Sequence, residues 1–101
     1  MKKQVPTKER KEGWKGFLDL CTRFKDPKDL EHFFDLFFTL EEKETHIGRY
    51  LIIQELEKAK LTQRDIAEKY QVSISQITRG SNALKIINEP LRKTLEKYFN
   101  E

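Results

Sequence analysis

The stretch Thr62–Arg79 holds the chain's most specific chemistry-bearing pattern. Ile66, Tyr70, Val72 and Ile77 are its apolar positions, and Ala67 is small where two helices must approach closely. Thr62 begins one short helix, and Ser73 with Gln76 has the spacing of a capping box that begins a second. A tight turn at Gln71-Val72 separates them, and it requires Gln71 to adopt the left-handed conformation. This is the geometry of a helix-turn-helix, whose second helix enters a DNA major groove N-terminus first. A plain αα-hairpin of a helical bundle is the alternative. Residues 69–88 contain Lys69, Arg79 and Lys85 and no acid, which suits a polyanionic partner. Gly80 then interrupts a helix interior, where glycine costs about 1 kcal/mol relative to alanine. Something must therefore come close to the backbone there, either a bound ligand or a tightly packed neighbouring helix.

Other chemistries find no constellation. His32 and His46 lack metal-ligand spacing, so no metal is expected. Cys21 stands alone, without a catalytic partner, and reads as a small buried apolar residue. Glu41, Glu42 and Glu44 sit in a first helical turn, where acid complements the helix dipole. No glycine loop could cradle a phosphate. The chain is expected to be a binding protein and not an enzyme.

The elements that position these residues follow from composition and period. The chain has 101 residues, 37% charged and 37% apolar, with four Gly and three Pro. That excludes collagen, low-complexity disorder and a Gly/Pro-rich sandwich, and predicts an all-α fold. No apolar run approaches the ~20 residues of a membrane span. The basic start, Met1 to Thr7, has no apolar stretch behind it and does not read as a secretory signal. With a single cysteine, this predicts a cytoplasmic protein.

Residues 1–11 read as a mobile basic arm, and residues 12–101 as one helical domain for DNA binding and dimerisation, with the helix-turn-helix at about 62–86. Trp14, Phe17, Leu18, Cys21 and Phe24 recur at helical spacing. Asp26 can cap a second helix, with Pro27 at its first position. That helix carries Leu30, Phe33, Phe34, Leu36, Phe37 and Phe38, which point nearly all round it. A helix apolar all round must be buried all round. A chain this short has little interior, so the expectation is a homodimer whose subunits share one core. Thr39 and Glu42 form a capping box for a third, longer helix to about Lys60, with Ile47, Tyr50, Leu51, Ile53 and Leu56 apolar. After the two short helices, Pro90 opens a last one with Leu91, Leu95 and Phe99 on one face. About six helices result.

Gln63-Arg64, followed by Ile77, Thr78, Arg79, Gly80, Ser81, Asn82, Ala83, Leu84 and Lys85, resembles the bacterial trp repressor family. The resemblance runs from about Leu36 to Leu95 and is densest between Leu61 and Lys85. It implies a six-helix subunit in an intertwined homodimer, L-tryptophan as corepressor, and operator DNA as partner. It implies that the indole lies between Arg49 and Arg79, with Arg79 holding the carboxylate. A guanidinium suits both tasks, stacking on an aromatic face and pairing bidentately with a carboxylate. Thr39 matches the family's threonine near that carboxylate. Leu36 and Phe38 match positions whose carbonyls receive the ammonium, and Gly80 the position where the indole meets backbone. Ala83 stands where the family's best-known form has a serine near the ammonium. Gln63, Arg64, Ile74, Ser75, Gln76, Thr78 and Lys85 are the implied DNA-contacting residues. The tip Ile74-Ser75-Gln76 differs in chemistry from that form. The expected function is a tryptophan-dependent repressor; a ligand-independent helical interaction module, or a DNA-binding regulator with another effector, is the alternative.

Overall fold

The computed structural model describes residues 4–100, which form six α-helices. They fall into two compact units, residues 4–39 and residues 40–100. The first three residues of the expected arm and the last residue of the expected domain lie outside the described residues.

In the first unit, α1 spans Thr7–Cys21 and α2 spans Pro27–Phe37. The start of α1 corrects the expected arm, because residues 7–11 are helical. Lys8, Glu9, Arg10, Lys11 and Glu12 are good helix formers, and Glu9 complements the dipole in the first turn. All are exposed, so they leave no apolar period to read. Asp26 caps α2 as expected, its carboxylate accepting from the Lys28 N–H at 2.9 Å, with Pro27 opening the helix. Phe17 is the hub of an aromatic cluster. It stacks on Phe33 at 5.5 Å and on Trp14 at 5.7 Å, and meets Phe37 edge-on at 5.3 Å. Phe24 adds to Phe33 at 4.9 Å. Of this cluster only Phe33 is buried, and Trp14 is 63% exposed; Leu36 of α2 is 78% exposed.

In the second unit, α3 (Leu40–Lys58) packs against α4 (Gln63–Tyr70), α5 (Ile74–Lys85) and α6 (Glu89–Phe99). Ile52, Ile66 and Ile77 are fully buried, with Leu56, Leu61, Ala67, Tyr70 and Val72 packed around them. The inner face of α3 departs from the expected one. Ile52 and Glu55 are buried, whereas Ile47 and Tyr50 are about half exposed. The reason is that α3 is apolar on two faces, one toward α4 and α5 and the other toward an open groove. Ala59, in the left-handed region at φ 54°, ends α3. Asn88, not Pro90, begins the last helix. Its side chain accepts from the Leu91 N–H at 2.9 Å, and Pro90 follows inside the first turn. Arg92 of α6 donates to the Leu84 carbonyl at 2.8 Å, occupying an acceptor that the end of α5 leaves unpaired.

Candidate nucleic-acid interface

Both short helices carry complete capping boxes. Thr62 Oγ1 accepts from the Asp65 N–H at 3.1 Å, and Asp65 accepts from the Thr62 N–H at 3.2 Å. Ser73 Oγ accepts from the Gln76 N–H at 3.1 Å, and Gln76 Oε1 accepts from the Ser73 N–H at 2.8 Å. Each box satisfies helix-end N–H groups that would otherwise lack partners, which fixes where α4 and α5 begin. Gln71 adopts the left-handed conformation as expected, at φ 55° and ψ 44°, and its side chain donates to the Glu68 carbonyl at 2.8 Å. The Val72 N–H closes the turn on the Ala67 carbonyl.

This local geometry sorts α5 into two faces. Ile77 and Gly80 turn inward and are buried. Ile74, Ser75, Gln76, Thr78, Arg79 and Lys85 are exposed, as are Gln63 and Arg64 in the first turn of α4. Every residue expected to contact DNA is therefore on the surface, and α5 itself contains no acid. The capping box uses the Gln76 oxygen and leaves its two amide hydrogens as donors. Ile74 is 51% exposed at the first position of α5, an apolar group at the helix tip.

Behind α5, the structure brings Gly80 and Arg49 together. A Cβ on Gly80 would meet Ile52 Cγ2 at 2.9 Å and Arg49 Cδ at 3.8 Å. Of the two explanations for the glycine, close packing of α5 on α3 is the one seen. Arg49 is half-buried and Arg79 exposed, and neither guanidinium makes a hydrogen bond or ion pair among the described residues. Ala83, one turn beyond Arg79, is half-buried and faces an apolar groove. Tyr50 and Ile53 of α3 and Leu91 and Phe99 of α6 line that groove with it. Leu36 and Phe38 stand at the C-terminal end of α2, and Thr39 precedes α3; all three belong to the first unit.

One cluster escaped the sequence. Glu55 is the buried charged residue of the second unit, 6% exposed, and its Oε2 accepts from the Tyr70 hydroxyl. Gln54 Nε2 donates to the same oxygen at 3.3 Å, and Lys69 Nζ lies 3.8 Å away. The Tyr70 hydrogen bond outweighs burial and holds the Glu55 carboxyl below the usual range, with Gln54, Lys69 and Lys58 adding to it. Glu55 and Tyr70 are 15 residues apart, and no local spacing signals such a pair. Among the described residues, no group of His, Cys, Asp or Glu could hold a metal ion, and no helix is long and apolar enough to cross a membrane.

Fold and site together define an all-helical helix-turn-helix protein. The family model described as "Trp repressor protein" matches residues 12–98. A Trp operon repressor homolog of Chlamydia caviae is 50% identical over 93 residues, covering 88% of this chain and 92% of the relative. One of Chlamydia trachomatis serovar D is 46% identical over 89 residues, covering 88% and 95%. One of Vibrio cholerae is 34% identical over 82 residues, covering 81% and 80%. The chain belongs to the Trp repressor family, a family of regulatory proteins and not of enzymes.

Proposed function

We propose that this protein is a tryptophan-responsive transcriptional repressor that binds operator DNA as an intertwined homodimer and works in the cytoplasm. One observation carries the reading: the exposed, acid-free α5 backs directly onto the half-buried Arg49 at Gly80. A molecule held between Arg49 and Arg79 would bear on the mounting of α5, and so on DNA reading. L-Tryptophan fits the two guanidiniums, one as a stacking plane for the indole and one as partner for the carboxylate. Thr39 supports the carboxylate, the carbonyls of Leu36 and Phe38 take the ammonium, and Gly80 and Ala83 complete the ligand set. Ile74, Ser75 and Gln76 read the major groove, with Gln63, Arg64, Thr78 and Lys85 on phosphates or base edges. Helix-turn-helix dimers in general, trp repressors among them, span half-sites about 34 Å apart.

Dimerisation draws support from surface that a single copy leaves open. Leu36 and Trp14 are exposed in the first unit, and the groove beside Ala83 is exposed in the second. A second copy covering both would turn residues 12–101 into one shared domain. The ligand-independent module is favoured by one fact: Ile52 alone accounts for Gly80. A melting curve with and without L-tryptophan separates the two. A ligand bound only by the folded state raises Tm, by an amount equivalent to about 2.7 kcal/mol at a hundredfold excess over Kd. No shift at millimolar L-tryptophan would leave the module or a DNA-binding regulator with another effector.

A further inference from the structure

The core beneath the helix-turn-helix is aliphatic, and aliphatic packing is non-directional. Ile66 and Ile77 hold α4 and α5 to α3 by shape, without a directional bond that fixes the tilt. A hydrogen bond to a buried carboxylate is directional, and it penalises every other placement. Glu55 is such a carboxylate. Its hydroxyl partner, Tyr70, is the last residue of α4. The left-handed Gln71 follows at once, and Ser73, the cap of α5, comes two residues later. Moving the turn away from α3 would leave Glu55 buried with a donor lost, which is costly.

We propose that Glu55 and Tyr70 are positioning residues for DNA recognition: their hydrogen bond latches the turn to α3 and sets the tilt at which α5 presents Ile74, Ser75 and Gln76. The inference rests on the DNA-binding reading above, which it deepens. Lys69 contributes from α4, 3.8 Å from the carboxylate and 5.1 Å from the Tyr70 ring centroid, and Lys58 acts from α3. Gln54 adds an uncharged donor. These groups keep Glu55 ionised at neutral pH, so the latch is not a proton switch near neutrality.

The test uses the full chain with L-tryptophan, a duplex selected from a random pool, and an unrelated duplex at the same salt. Tyr70→Phe removes one oxygen and no charge. Affinity for the selected duplex should fall about tenfold through mis-set base contacts, while affinity for the unrelated duplex, set by phosphate charge, changes less than about twofold. Glu55→Leu combined with Tyr70→Phe removes both polar partners. Tm should recover, because Gln54 and Lys69, the donors that lose the carboxylate, are partly exposed and can turn to water, and the specificity ratio should stay low. An unchanged ratio in Tyr70→Phe, or a ratio that recovers along with Tm, would overturn the latch and leave an ordinary packing contact. If the unaltered protein fails to distinguish the duplexes, the DNA-binding reading fails instead. Amide exchange at residues 73–76 without DNA then decides the latch: faster exchange in Tyr70→Phe supports it, and unchanged exchange overturns it.

Discussion

Residues 4–39 hold Trp14 and every phenylalanine except Phe99, yet bury only Phe33. Residues 40–100 are poorer in aromatic rings and bury Ile52, Ile66 and Ile77 completely. Apolar content alone therefore does not make a core. In the second unit one long helix has three neighbours, and each isoleucine meets side chains from another element. In the first, α2 is apolar in nearly every direction, and within that unit α1 is the helix that packs on it. The unit's exposed apolar side chains, Trp14 and Leu36 among them, are the surface that the proposed second copy would cover.

The largest effect should come from the closed core. Ile77→Ala should cost about 2–5 kcal/mol in denaturant unfolding, as expected for a cavity at a fully buried site. A cost near that of a surface substitution would erase the contrast between the units. Next comes Trp14→Ala. At an uncovered site it should change stability by less than about 0.5 kcal/mol. Under a second copy it should cost about 2 kcal/mol, the worth of a buried large apolar side chain. We expect the larger value, with Tm rising as protein concentration rises; a small, concentration-independent effect would make the first unit a free-standing hairpin.

A third prediction concerns acid. The folded Glu55 carboxyl is held below its usual range. Its contribution is therefore complete above the unfolded value of about 4.3, and it is lost as pH falls through the lower folded value. Glu55→Gln should make acid unfolding less steep below about pH 4.3 and leave the slope above it unchanged. The smallest effect is a gain: Gln71→Gly should stabilise by about 0.5 kcal/mol, relieving the left-handed strain at the loss of the bond to Glu68.

Much of this architecture is legible in the sequence because it is written locally. Asp26-Pro27 and the capping pair Ser73–Gln76 each declare a helix start within a few residues, and the turn forces Gln71 into its conformation. What stays hidden is what depends on distant chain. Ile52 and Glu55 look like any residues of a long amphipathic helix until α4 and α5 are laid on it. The early start of α1 is hidden differently, since an exposed charged helix has no apolar period. Gly80 was legible as a close approach, and the structure supplies Ile52 as the neighbour.

The repressor reading is tested most directly by titrating a selected duplex with the protein, at fixed salt, with saturating L-tryptophan and with none. Fluorescence anisotropy of the labelled duplex gives both affinities. A ligand that fixes α5 should tighten binding about 5- to 150-fold, the usual range of coupling between two sites, and by reciprocity the duplex should tighten L-tryptophan equally. Equal affinities in the two titrations would contradict it.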